Sequence, residues 1–408
     1  MPPSPIDLDP ADTSDGQAPE PARLPLGSLL LASVCGILWH GLLLTFGCFM
    51  FEPPKTVVEP RKPQEFAART VADEAGENSR RWYHWDALWF AHLGRHGYVL
   101  ETDHDGNMGQ SNIAFTPGLA LVVAAASEGK TGKPWEFLLG FNSVMAWWAM
   151  LGLGALTWRL THSRAAMIWA IVAFNAWPWR FFLAAPYQEA AGAALTFWGM
   201  YAACSGSVVP GFACSFLASA FRLNAVGAFC GLFAGSFLEL LRQRERSLQV
   251  RRMILSSGAL IGWGVLLAYF HRRFGDAGLG VKIQSTWGRQ PPHLTGLFES
   301  LGAPLLHPMT GTEWLDWAAA WALVAAIPLV YRSYGLIWAS SLAGLTFQAL
   351  STGRVLSFGR FALLACPFFV LAGQFAARRP RSAMVISAMW IVAQLGLAWR
   401  YGHDLFAG

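Results

Sequence analysis

Eleven strongly apolar runs, separated by short polar connections, occupy approximately 26–51, 135–158, 165–185, 187–204, 208–221, 223–241, 253–270, 312–331, 335–350, 357–377 and 383–401. A helix needs about 20 mostly apolar residues to cross a bilayer. The pattern therefore predicts an all-α polytopic membrane protein of about eleven transmembrane helices. A further apolar stretch, 112–127, is short and opens with Phe115-Thr116-Pro117-Gly118. It is expected to be a short helix or to dip into the membrane and return.

Basic residues set the expected orientation. Arg242, Arg244, Arg246, Arg251 and Arg252 share one connection, Arg378, Arg379 and Arg381 another, Arg159 and Arg164 flank a third, and Arg332 sits in a fourth. All four fall on one side if 112–127 does not cross. The expected organisation is then a disordered cytoplasmic tail (1–25), a first span (26–51), an outward segment with interfacial helices and the short stretch (52–134), a transmembrane bundle (135–270), an outward loop (271–311) and C-terminal spans (312–408). The first 22 residues are rich in Pro and Asp, without the basic region of a signal peptide. The run that follows is too long for a signal core and reads as a retained span.

Composition agrees. Charged residues make up 13% of the 408, against about 25% in soluble domains, which excludes a water-soluble enzyme with one core. Twenty tryptophans suit a protein with two membrane–water boundaries. The six cysteines lie in apolar runs without a CxxC pair, behaving as small hydrophobes and not as a disulfide or zinc framework. The basic residues sit beside spans, and no nucleic-acid partner is expected.

Candidate chemistry begins with RRWYHWDALWFAHLGRHGYVLE, Arg80 to Glu101. One reading is an interfacial helix, with Trp82, Trp85, Trp89 and Phe90 at headgroup level. The other starts from Asp86, a carboxylate among aromatics beside a membrane. Such a group is costly unless hydrated or paired, and is a functional candidate by default. It would serve as a general base toward a sugar hydroxyl. Glu189, in FFLAAPYQEAAGAAL, either offsets the dipole of the helix it opens or acts as a second carboxylate. Arg222, beside Asn224 in ASAFRLNAVG, Arg289 (QSTWGRQPP) and Arg360 (STGRVLSFGRFALLACP) are either snorkelling side chains or anion ligands. His84, His92, His96 and His104 match no strong zinc spacing, and no metal or other cofactor is expected.

Taken in order, HWDALWFAHLGRHGY (84–98), AFTPGLALV (114–122), APYQEA (185–190), ASAFRLNAVG (218–227), WGRQPP (287–292) and FGRFALLACPFF (358–369) resemble the motifs of the GPI mannosyltransferase 2 family and its bacterial relatives, of the GT-C class. The resemblance covers about 84–370. It implies a GT-C-like bundle and an inverting hexosyl transfer, commonly of mannose, from a polyprenyl- or dolichyl-phosphate donor to a glycan or glycolipid acceptor. It places the catalytic carboxylate at Asp86 and a second acid at Glu189. Arg222, Arg289 and Arg360 map onto basic positions, read as donor phosphate contacts. Trp85, His84, Tyr98, Tyr187, Asn224 and Trp287 stand in the same motifs as candidate substrate-positioning residues. Gln188, Leu223, Ala225 and Phe361 depart from the family pattern, which bears on sugar and acceptor more than on reaction class. The expected setting is the cell membrane of a bacterium or the endoplasmic reticulum membrane of a eukaryote, with the site on the non-cytoplasmic side and membrane lipids around it. The alternatives are a transporter or lipid flippase, which calls for ionisable residues in mid-span and internal symmetry, and a non-catalytic glycan-assembly subunit.

Overall fold

The computed structural model describes residues 23–57, 62–102, 108–128, 134–405 and 407. The tail expected to be disordered lies almost wholly outside these residues, and so does His104. The protein is all-helical; among the described residues the one β-type pairing is the isolated bridge Thr102–Met108.

Each of the eleven apolar runs contains helix, most with ends within several residues of those expected; the 165–185 run breaks after Ala176 and resumes only as the short turn Arg180–Leu183. Their lengths differ from expectation. Among the described residues six helices are long and apolar enough to cross a membrane: Leu26–Met50, Pro134–Thr161, Leu223–Leu241, Arg246–Phe274, Gly311–Tyr334 and Pro380–Tyr401. Phe358–Leu364 and Cys366–Arg378 form a pair bent by 83°, which brings the number to seven if it is one span. Arg164–Ala176, Val208–Phe221 and Leu336–Leu350 are 13, 14 and 15 residues long. At about 1.5 Å per residue they reach roughly 20–22 Å, short of the ~30 Å hydrocarbon core. By length and composition, six or seven of the eleven expected crossings have a membrane-length helix among the described residues. Gly118–Glu128, with 11 residues, is likewise too short to span.

Two of the short helices pack along membrane-length neighbours. Leu336–Leu350 lies along Leu223–Leu241, where Gly227, Gly231 and Gly235 recur every fourth residue opposite Ser340 and Gly344. A Cβ on Gly231 or Gly344 would overlap the facing backbone. This small-residue seam is what lets two apolar helices pack closely when lipid offers no hydrophobic drive to associate. Val208–Phe221 lies in the same way against Arg246–Phe274, with the Ser215 hydroxyl donating to Leu255 O at 2.5 Å.

Helix direction gives the bundle two chemically distinct ends. Asn224, Phe270, Gln348, Arg360 and Tyr401 gather at one end around a cavity. Arg242 and Arg246 stand at the other ends of Leu223–Leu241 and Arg246–Phe274, and Arg378 ends Cys366–Arg378, the helix that follows the Arg360 turn. The basic connections and the cavity thus stand a helix length apart, about 28 Å for the 19 residues of Leu223–Leu241.

The segment after the first helix folds over the cavity end as Pro63–Glu74, Glu77–Arg80 and Asp86–His96. Its aromatics do not lie at headgroup level as one reading expected: Trp82, Trp89 and Phe90 are buried in the protein, while Trp85 stays 38% exposed. Trp82 packs on Phe51, and Trp89 and Phe90 on Phe115. The Tyr401 hydroxyl donates to Trp82 O at 2.7 Å, tying this segment to the last long helix.

Candidate active site

Asp86 and Glu189 are each the first residue of a helix, Asp86–His96 and Glu189–Ser205. Backbone N–H groups left open at a helix start favour negative charge there. The turn ahead of Asp86 is strained: Trp85, not a glycine, has φ 51° and ψ −118°. Strain of this kind costs of order 1–3 kcal/mol and persists where the surroundings over-determine it. Here the Tyr187 hydroxyl accepts from Asp86 N at 3.1 Å and donates to His84 O at 3.2 Å. Tyr187 is in turn fixed by Asn142, whose amide donates to Tyr187 O at 3.0 Å and to Ala185 O.

Arg360 reaches both carboxylates. Its Nη1 donates to Asp86 Oδ2 at 2.8 Å, and its Nε lies 3.0 Å from Glu189 Oε1. Arg222 Nη1 stands 3.2 Å from the same Glu189 oxygen. Glu189 is fully buried, so the two guanidiniums around Oε1 offset a desolvation cost of several kcal/mol. Arg222 can lie against the Glu189 helix because Gly192 has no Cβ; one built there would stand 2.7 Å from Arg222 Cγ.

Arg289 enters from the loop after Phe274. Its Nη2 donates to Leu356 O at 3.2 Å, and among the described residues no carboxylate stands within ion-pair distance of it. Burial, and then the charge of Arg360, push it down to about 10, which still leaves it cationic near neutral pH. The ring of Phe361 gathers all three arginines: the guanidinium carbons of Arg222 and Arg289 lie 5.0 Å from its centre and that of Arg360 5.6 Å. Contacts of this kind hold cations to an aromatic face.

These groups wall a cavity of about 350 Å³, within the range of small-ligand sites. Asp86, Trp85, Tyr187, Arg222, Asn224, Trp287, Arg289 and Arg360 line it. Glu189 sits one layer behind, between two of the arginines. Asp86 Oδ2 is taken by Arg360, while no described group hydrogen-bonds its Oδ1. The far wall is apolar, built by Trp263, Leu266, Leu267 and Phe270.

Two expected positioning residues lie elsewhere. His84 is buried and turned away from the cavity, with Nδ1 2.7 Å from Asp404 Oδ1 and Nε2 at 3.0 and 3.1 Å from Glu52 O and Arg81 O. Tyr98 donates to Phe115 O at 2.8 Å and packs on Phe270. Neither side chain lines the cavity, but both back residues that do: His84 packs on Tyr401, and Tyr98 on Phe115 and Phe270. His92 and His96 stack on each other with centres 4.8 Å apart. Among the described residues no group of three or more His, Cys, Asp or Glu stands where a metal ion would be held.

Sequence reasoning missed Asp316. This buried carboxylate accepts from Ser357 N at 2.9 Å and Gly359 N at 2.8 Å. It fixes a turn in which Ser357 has φ 66°, while Trp177 Nε1 donates to Gly359 O at 2.8 Å. Arg360 follows that turn directly. One acid within an apolar run is a signal in its own right. Gln188, the departure from the family pattern, is locked to Thr116: its Nε2 donates to Thr116 O, and Thr116 Oγ1 donates to its Oε1, both at 2.6 Å.

No protein-family description and no curated protein matches the chain. Among solved structures it is similar to the oligosaccharyltransferase of Archaeoglobus fulgidus. Compared with that enzyme in complex with Zn and sulfate, the TM-score is 0.44 at 12% identity, over 93% of this chain and 53% of the other. For the complex of the same enzyme, AglB, with an inhibitory peptide and a dolichol-phosphate, the values are 0.47, 12%, 93% and 56%. For the form tethered to an acceptor peptide containing the NVT sequon they are 0.45, 11%, 94% and 55%. The chain thus spans about half the length of these structures.

Proposed function

We propose that the protein is a membrane glycosyltransferase that moves a hexose, with mannose the first candidate, from a polyprenyl- or dolichyl-phosphate carrier to a hydroxyl of a glycan or glycolipid on the non-cytoplasmic face. One observation carries this reading: a carboxylate oxygen, Asp86 Oδ1, left open in a cavity whose other charged lining is three guanidiniums. A base and a phosphate cradle share one space, with an apolar wall beside them for a lipid-borne substrate.

In the proposed reaction the acceptor oxygen attacks the anomeric carbon from the face opposite the phosphate. The new glycosidic bond forms as the bond from anomeric carbon to phosphate oxygen breaks, inverting the centre. The acceptor proton goes to Asp86 Oδ1, and the electron pair of the broken bond leaves with the lipid phosphate. Arg289, free of any carboxylate, and Arg222 stabilise that developing charge. Fixed cations in a site shielded from water are worth most where charge grows in the transition state. A phosphate leaving group needs little acid assistance, and no cofactor is assigned a part. Arg360 orients Asp86, and Glu189 keeps Arg222 and Arg360 in register. Trp85, Tyr187, Asn224 and Trp287 shape the sugar and acceptor side.

The orientation rests on the basic ends of the helices, which by the positive-inside trend are cytoplasmic and stand opposite the cavity. The test is transfer from labelled polyprenyl-phosphate-mannose by the purified protein in proteoliposomes, with mass spectrometry of the product, wild type against Asp86→Asn. Product formed by the wild type and lost in the variant supports the reading. Equal turnover by both removes Asp86 as the base, and movement of label across the bilayer without a covalent product points to a transporter.

A further inference from the structure

The loop that brings Arg289 to the cavity continues into two helical pieces, Leu294–Leu301 and Ala303–Leu306. One face of the first is fastened to the protein. Ser300 Oγ donates to Leu350 O at 2.8 Å and His293 N to Ser351 O at 2.9 Å. Gly296 sits so close to the Ser351 backbone that a Cβ would not fit. The opposite face is apolar and uncovered: Leu294 is 75% exposed, Phe298 73%, Leu305 90% and Leu306 64%. Leu294 and Phe298 are one helical turn apart and so point the same way. A single exposed leucine needs no explanation, but four large apolar side chains within this short stretch form a patch that something covers.

What covers it follows from the neighbouring helix. Gly311–Tyr334 is one of the six membrane-length helices, and its first turns expose Trp314 and, lower, Trp321. Trp317, on the same helix, donates its indole N–H to Leu301 O at 2.8 Å. Tryptophan gathers at the membrane–water boundary, where its ring and its N–H find different surroundings. The Leu294–Leu306 patch therefore stands at the height of such a tryptophan group and is continuous with a lipid-facing surface.

We propose that Leu294–Leu306 is an interfacial anchor that lies in the plane of the membrane, with Leu294, Phe298, Leu305 and Leu306 inserted at the boundary between headgroups and acyl chains. Its occupant is lipid, not a protein partner. This is how a short helix with one uncovered apolar face binds a bilayer surface. Since Trp287, Arg289, Gln290 and Pro292 of the same loop line the cavity, the anchor pins that wall of the cavity at the bilayer surface. The inference does not depend on the reaction proposed above, because it concerns where the wall stands and not what it binds.

The test places the photo-crosslinking residue p-benzoylphenylalanine at Phe298 or Leu305 in the full chain, reconstituted in nanodiscs of one defined phospholipid. A third variant at Leu329, half-exposed on the membrane-length helix, serves as the lipid reference. Irradiation and mass spectrometry should give phospholipid adducts at Phe298 and Leu305 as they do at Leu329. Adducts at Leu329 alone would mean that the patch faces water, and adducts to a second copy of the chain would mean that it is a protein interface; either overturns the proposal. Hydroxyl-radical footprinting of the unmodified protein in the same nanodiscs covers the case of a variant that fails to fold. Protection of Phe298 and Leu305 to the level of Leu329 is expected, and labelling at the level of exposed loop residues would overturn the proposal.

Discussion

Arg360 Nη1 and Asp86 Oδ2 meet at 2.8 Å across 274 residues of sequence, and each partner is fixed by a separate set of contacts. Asp86 is set by the strained Trp85 turn and the Tyr187 hydroxyl. Arg360 is set by the turn that Asp316 holds. Tyr187 joins the two supports, since its ring lies 5.3 Å from the Arg360 guanidinium carbon, and the open Oδ1 oxygen has a defined direction before any substrate arrives.

Replacing Asp86 with Asn removes the base while Arg360 keeps its contact with Glu189. The proposed transfer should fall about 10²–10⁴-fold, the usual contribution of a positioned general base, with the thermal midpoint in detergent close to wild type. Steady-state transfer rates alongside a melting curve check both halves. A large drop in melting temperature would recast Asp86 as a structural residue.

Arg289→Ala strands no buried acid, since no carboxylate is paired with it. A charged hydrogen bond is worth about 1.5–3 kcal/mol, so the donor KM should rise about 10–100-fold while stability is kept. Titrating the polyprenyl-phosphate donor at a saturating acceptor concentration separates this from an effect on kcat alone. An unchanged donor KM would take Arg289 out of the phosphate site.

Glu189→Ala has a different expected signature. It leaves Arg222 and Arg360 facing each other without the carboxylate between them. Breaking a buried pair costs about 3–5 kcal/mol, so loss of folded protein in size-exclusion chromatography should precede any kinetic effect. Adding Arg222→Met to Glu189→Ala should recover part of the folded yield by removing one of the stranded charges.

Asp316→Asn keeps shape but weakens both backbone hydrogen bonds to the Ser357 turn. Weakening these buried acceptor contacts should lower stability by about 1–3 kcal/mol and lower kcat more than it raises the donor KM, because Arg360 loses its position. Asp316→Glu, which keeps the carboxyl group at a shifted distance, should recover less of kcat than of stability. Melting curves and initial rates on the same preparations test this, and normal kcat in Asp316→Asn would exclude a positioning role.

Burial, followed by the nearby His96, lowers His92 from about 6.5 to about 4. Its Nδ1 accepts from the Asn112 amide at 3.1 Å, which suits the neutral ring. A native pKa below the unfolded value means that the unfolded chain binds the extra proton. The contribution of His92 to stability is therefore complete above about pH 6.5 and is lost as pH falls toward 4. Melting temperature followed from pH 7.5 to 4.5 should decline more steeply in wild type than in His92→Gln, and parallel curves would contradict this.

Most helix positions were legible in the sequence, while the length of each helix was not. Hydrophobicity reports that a run is kept from water and not whether lipid or protein covers it. Leu336–Leu350 looks like a span because it faces the glycine seam of Leu223–Leu241. Asp86, Glu189, Arg222 and Arg360 are far apart in sequence yet meet in the structure, and the motif order had grouped them. Direction was the hidden variable: His84 and Asp86 are two residues apart, but one points to Asp404 and the other into the cavity. Trp82, Trp89 and Phe90 misled in the same way, being aromatic near a membrane for reasons of packing. Asp316 carried a readable signal, an acid inside an apolar run, although its partners are backbone groups about 40 residues away, which no local pattern reveals.

The glycine seam also constrains how the cavity admits a molecule. Asn224 and Gln348, at the ends of its two helices, join across the wall at 2.8 Å, and main chain pressed on main chain leaves no side-chain layer that can slide. That pair moves as one body. Any widening therefore falls to the Arg246–Phe274 helix, because the loop that carries Arg289 is itself fastened beyond Leu336–Leu350, through Gln290 N to Thr352 O and His293 N to Ser351 O. A crosslink clamping Leu223–Leu241 to Leu336–Leu350 should leave entry unhindered, whereas one across Leu267 and Gln290 should close the door.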